Sequence, residues 1–161
     1  MDQRNSYKMA KNTEIERKFL VKTDGFKAQA TNTLEIKQGY LCKDQTRTIR
    51  VRICNEHAYL TIKSSILRAG LAKYEWEKEI EVEDAREMLE ICLPGMIEKT
   101  RYVIPCTKEK GRKWEVDVFH GRLEGQVLAE IELEDENEPF ERPEWLGEEV
   151  TGQPAYYNAN M

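Results

Sequence analysis

Apolar and polar residues alternate along most of this chain. The alternation is rich in β-branched and aromatic residues at about 13-21, 36-41, 46-54, 58-63, 74-83, 99-104, 113-119 and 127-134. Period-two patterning of this kind predicts half-buried strands, eight in all. One segment breaks the period. In "EDAREMLEICLPG" the residues Ala85, Met88, Leu89 and Cys92 recur at helical spacing, Asp84 is placed to cap the start and Pro94-Gly95 ends the run, so a helix is predicted there. Residues 24-32 leave room for a short second helix, and the stretch from Phe140 to the C-terminus reads as turns anchored by Trp145, Tyr156 and Tyr157.

Side chains two residues apart in a strand point the same way, so each predicted strand divides into two faces. Arg50 and Arg52 oppose Ile49, Val51 and Ile53; Thr61 and Lys63 oppose Leu60 and Ile62. Glu75, Glu77, Glu79 and Glu81 oppose Trp76, Ile80 and Val82, while Glu130 and Glu132 oppose Ala129, Ile131 and Leu133. Lys99 shares a face with Arg101, Glu115 with Asp117, and Glu14 and Glu16 with Lys18. Nearly every strand is therefore apolar on one side and charged on the other. Two architectures fit: a sandwich whose charges face solvent as cross-strand pairs worth roughly 0.2 to 1 kcal/mol each, or a closed barrel whose charges face inward. Charges are grouped by sign within strands, which favours the inward arrangement, since basic pairs suit phosphate oxygens and paired carboxylates suit a hard divalent cation.

Composition narrows the function classes. The chain has 161 residues, 34% of them charged, and a formal net charge of -5. That balance argues against nucleic-acid or anionic-membrane binding, although it leaves room for a local basic pocket. Cys42, Cys54, Cys92 and Cys106 are widely spaced and only two histidines are present, so neither a zinc site nor a disulfide framework is indicated and reduced cytoplasmic thiols are expected. There is no P-loop, no GxSxG and no Cys/His nucleophile arrangement. No linker divides the chain, so residues 1-12 are expected to form a loose head and 13-161 a single domain.

The ordered motifs resemble the CYTH-domain family, the triphosphate tunnel metalloenzymes, and most closely its small bacterial type linked to inorganic tripolyphosphate. The family's E-x-E-x-K signature reads Glu14-Ile-Glu16-Arg-Lys18, followed by "QGYL" with Tyr40, the T-x-R-x-R element Thr48, Arg50 and Arg52, "LTIK" ending at Lys63, "YEWEKEI", "EKTRY", "WEVDVF", "LAEIEL" and "WLGEEVT". The resemblance implies a closed eight-stranded antiparallel barrel forming a charged tunnel, with a few peripheral helices. It also implies metal-dependent hydrolysis of a triphosphate with Mg²⁺ or Mn²⁺. Thiamine or nucleoside triphosphatases, class IV-type adenylate cyclases and non-catalytic polyphosphate-binding modules remain the alternatives. By the same resemblance the partner is a small polyanion, the protein is cytoplasmic, and a homodimer is compatible with the fold.

Roles follow from the resemblance and from the chemistry of phosphoryl transfer, which relies on positioning and charge stabilisation. Lys18, Arg50, Arg52, Lys63, Arg101 and Tyr40 are expected to bind substrate, Glu14, Glu16, Asp117, Glu130 and Glu132 to hold metal, and Lys99 and Glu77 to act in catalysis. Two positions depart from the family pattern. Lys73 stands where an Arg is common, which keeps charge but loses bidentate geometry, and Ala155-Tyr156-Tyr157-Asn158 lacks the Arg of the closing element.

Overall fold

The computed structural model describes residues 13-65 and 72-161, and only the backbone of Thr13, Glu14, Ala72 and Lys73. The expected N-terminal head at 1-12 lies outside the described residues. The protein is mainly β. Strands β1 (Thr13–Val21), β2 (Asn32–Lys43), β3 (Arg47–Cys54), β4 (His57–Ser64), β5 (Ala72–Ile80), β6 (Ile97–Pro105), β7 (Lys113–Phe119), β8 (Val127–Leu133) and β9 (Leu146–Glu149) carry two helices, α1 (Phe26–Gln29) and α2 (Val82–Glu90). They form one nine-stranded sheet in the order β5-β4-β3-β2-β6-β7-β8-β1-β9, every neighbouring pair antiparallel. The strand at the far edge returns: β5 also pairs with β1 through Thr13↔Tyr74, Glu14↔Lys73 and Ile15↔Ala72.

The outer faces of the strands are apolar and covered. Phe19, Trp114, Val116, Ala129, Ile131 and Leu133 pack with Phe26 of α1 and with Trp145 and Leu146. Their rings meet edge to face, Trp114 with Trp145 at 5.6 Å and Phe26 with Trp145 at 6.0 Å, the geometry that aromatic quadrupoles favour. On the other side α2 lays Ala85 and Leu89 over Val51 and Ala58. Gly39 makes that approach feasible, because a Cβ there would stand 2.9 Å from Cys92 Sγ. Just beyond Gly39 the β2–β3 register shifts between Tyr40 and Cys42, and the Leu93 N–H donates to the Tyr40 carbonyl at 2.8 Å, tying the loop after α2 to the bulge.

Several boundaries differ from the sequence-based expectation. β2 starts at Asn32 because its polar beginning pairs with β6, from Asn32↔Val103 onward. β5 stops at Ile80 and α2 starts at Val82, so the alternation of Ile80 and Val82 runs from a strand directly into a helix. The cap position is Glu81, not Asp84, which sits in the first turn with Glu83, where carboxylates suit the positive end of the helix dipole. β9 was expected as part of a run of turns.

Candidate active site

The strands turn their charged faces toward one another around a cavity of about 810 Å³. Glu16, Lys18, Tyr40, Arg50, Arg52, Lys63, Glu77, Lys99, Arg101, Glu130 and Glu132 all line it. The outward-charged sandwich is thereby excluded for these strands. Every expected site residue with a described side chain reaches the cavity wall except Asp117. The side chain of Glu14, like that of Lys73, lies outside the described residues.

Asp117 lies behind the wall, 2% exposed, and serves the cations. Its carboxylate accepts hydrogen bonds from Lys99 Nζ at 2.7 Å and from Arg101 Nε and Nη2 at 2.7 and 2.9 Å. All three contacts engage this carboxylate as counter-ion to the two cations. Burial alone would raise its pKa, but Arg101 and Lys99 hold it well below the usual carboxylate range. Lys99 is itself almost fully enclosed, and burial draws its ammonium down to about 7 against the opposing pull of Asp117. Arg101 ends above its ordinary value, because Asp117 and Glu115 outweigh the loss of hydration.

The remaining cations are held in a similar way. Arg52 Nε donates to Gln38 Oε1 at 2.7 Å, and burial beside Arg50 and Arg101 lowers its pKa to about 9, still protonated at neutral pH. Arg50 Nη2 donates to Thr61 Oγ1, which in turn donates to Glu77 Oε2 at 2.8 Å, while Arg50 Nε is buried without a partner among the described residues. Lys18 pairs with Glu130 at 3.2 Å and donates to the Tyr156 carbonyl at 2.9 Å. Burial would lower the Lys18 pKa, but Glu130 and Glu16 together raise it.

Carboxylates gather on two neighbouring strands. Glu16 of β1 stands directly opposite Glu132 of β8, and Lys18 opposite Glu130. Among the described residues, no group of three or more His, Cys, Asp or Glu forms a ready-made metal site. The cavity also draws on residues absent from the sequence-based set. Glu75 and Glu115 belong to strands whose alternation was read, and Thr61 shares a face with Lys63, so parity alone could have placed all three. Pro154, Tyr157, Asn158, Ala159 and Asn160 come from the C-terminal turns, and no periodicity signals them.

Comparison with known proteins gives a consistent picture. A family model described as the CYTH domain matches residues 12–158. The chain is 46% identical over 149 residues to an inorganic triphosphatase of Acetivibrio thermocellus, covering 92% of each chain. It is 38% identical to an inorganic triphosphatase of Nitrosomonas europaea, covering 91% of this chain and 94% of the relative. It also resembles a crystal structure of an inorganic triphosphatase with a TM-score of 0.63 and 33% identity, covering 91% of this chain and 92% of that one.

Proposed function

We propose, from the premise that the chain belongs to the CYTH-domain family, that it is an enzyme hydrolysing inorganic triphosphate. The observation that carries this reading is the ring of Lys18, Arg50, Arg52, Lys63, Lys99 and Arg101 around one cavity in a protein of net charge -5. A surface charge of no function would not be collected inside a cavity, where hydration is lost and like charges repel. A linear polyanion compensates both effects. The pairing of β5 with β1 supports a sheet closed as a barrel around that site.

Arg50, Arg52 and Arg101 bind the phosphate oxygens, Arg101 and Lys99 being presented by Asp117 from behind. Lys99 orients the terminal phosphoryl group, and Lys18, Lys63 and Tyr40 complete the substrate contacts. Asp117 is a positioning residue in this reading. Glu16, Glu132 and Glu130 are the carboxylates of described position that would hold a divalent cation, one or two of them at a time. Glu16↔Glu132 is a carboxylate pair set directly opposite on adjacent strands and lining the cavity. Its donor chemistry fits Mg²⁺ or Mn²⁺, which bind one or two carboxylates and complete their shell with phosphate and water. When bound, that ion supplies charge neutralisation at the phosphates. Glu77, fixed by Thr61 and 3.7 Å from Arg50, orients the attacking water. The protein is placed in the cytoplasm, where the free thiols of Cys42, Cys54, Cys92 and Cys106 stay reduced.

Phosphate release from triphosphate, ATP and thiamine triphosphate, each with Mg²⁺, Mn²⁺ or chelator, tests the reading. Metal-dependent cleavage of triphosphate that Lys99→Ala abolishes is expected. Tight binding of triphosphate with no turnover under any condition would make the protein a binding module instead.

A further inference from the structure

The inward faces change character toward one end of the cavity. Lys18 is followed on the same face of β1 by Leu20, Asp117 on β7 by Phe119, and Lys99 and Glu130 are preceded by Ile97 and Leu128. Ile97, Phe119 and Leu128 are each 1% exposed and form one cluster, packed with Leu20, Leu123, Tyr156 and Met161. Two of those neighbours, Tyr156 and Met161, belong to the C-terminal segment. Arg122 Nη2 fastens the segment by donating to the Met161 carbonyl at 2.7 Å and to the Gly95 carbonyl at 2.9 Å. On β1, β6, β7 and β8 the charged positions therefore give way to a buried apolar cluster against which the C-terminal turns pack.

Asn158 sits at the boundary. Its side-chain oxygen accepts from Lys99 Nζ at 2.8 Å and from Gln38 Nε2 at 3.4 Å, and Gln38 in turn accepts from Arg52. One neutral carboxamide thus joins the Arg52–Gln38 pair to the Lys99–Asp117–Arg101 group. An ammonium has three N–H donors. Asp117 takes one from Lys99 and Asn158 another, which leaves one for the cavity that Lys99 lines.

We propose that Asn158 is a specificity-determining residue that marks the end of the polyphosphate site: it holds Lys99 for the terminal phosphate and denies space to one phosphate more. This inference rests on the triphosphatase reading. A longer chain would have to displace Asn158 from Lys99 and, on β6, β7 and β8, push charge toward the buried side chains of Ile97, Phe119 and Leu128.

Calorimetric binding of tripolyphosphate and tetrapolyphosphate to the wild-type chain and to Asn158→Ala, with Mg²⁺ and with chelator, tests the inference. The wild type should favour triphosphate by about tenfold or more, the scale of one hydrogen bond to a charged group, and Asn158→Ala should bring the two chains within about threefold. Equal wild-type affinities, or a ratio unmoved in a folded Asn158→Ala, would overturn it. Should that variant fail to fold, Asn158→Asp keeps the shape and the Lys99 bond while turning a negative charge toward the phosphates. It should weaken triphosphate binding about tenfold with melting unchanged, and undiminished binding would overturn the proposal. Binding without phosphate release in the wild type removes the enzymatic reading alone. Absence of binding to either chain removes both.

Discussion

Asp117→Ala separates two roles that the sequence merges, metal ligand and buried counter-ion. The substitution deletes an acceptor of three charged hydrogen bonds, at 2.7, 2.7 and 2.9 Å, and leaves Lys99 and Arg101 enclosed beside a hole. Removing one partner of a buried ion pair costs about 3 to 5 kcal/mol. Lys99, already drawn down to about 7, can shed its proton, and Arg101 keeps Glu115 at 2.7 Å, so the loss should fall near the lower end, about 3 kcal/mol. For a chain of this length that lowers Tm by about 6 to 12 °C. Urea unfolding followed by fluorescence of the buried Trp114 and Trp145 reads the loss, with an unchanged slope expected. A loss below about 1 kcal/mol would refute the counter-ion role. Asp117→Asn completes the comparison: a metal ligand predicts a higher metal requirement at preserved stability, whereas the counter-ion predicts lost stability at an unchanged metal requirement.

Two further predictions concern the packing around the sheet. Gly39→Ala places a methyl 2.9 Å from Cys92 Sγ and 3.0 Å from its Cβ, so about 1 to 3 kcal/mol of stability should be lost, and Cys92→Ala in the same chain, which removes Sγ but keeps Cβ, should restore part of it; additive urea midpoints would count against the contact. Glu149 is held below its ordinary pKa by the Arg17 hydrogen bond at 2.8 Å, with help from Thr151. A lowered folded pKa stabilises fully above the unfolded value near 4.5 and the benefit disappears as pH falls through the folded one. Glu149→Gln should therefore melt lower at pH 7 by the equivalent of no more than about 1 kcal/mol and match the wild type at acid pH, a convergence that thermal melts across pH would reveal.

The strands were legible because each carries a clean two-residue alternation, and that parity also placed Lys18, Arg50, Arg52, Lys63, Lys99 and Arg101 on common faces. Alternation is silent on which face is inside. The answer depends on what covers the other face: here α1, α2 and the Trp145–Leu146 segment bury Phe19, Trp114 and Val51, leaving the charges inward. Parity also cannot measure depth. Asp117 follows the same face as Glu115, yet Glu115 lines the cavity while Asp117 lies behind it under two cations. β9 escaped notice because LGEE is short and meets β1 with a shifted register, so no sustained pattern marks it. Asn158 escaped for a different reason: a residue in a single turn has no period, and its role arises only where the chain end meets Lys99.

Charge collected inside a fold is stable only if each group is either paired or destined for a partner. Most of the wall is paired: Lys18 with Glu130, Arg101 with Asp117 and Glu115, Lys99 with Asp117 and Asn158. What is left over has a direction. Among the described residues Arg50 Nε is buried without an acceptor, and Arg52 is lowered by burial and by its neighbours Arg50 and Arg101. An unmet buried donor costs about 1 to 3 kcal/mol and mutually repelling cations add to it, so the basic wall is where an anion would gain most. Arg50 and Arg52 line one cavity, and an anion placed between them would answer both the unmet donor and the repulsion.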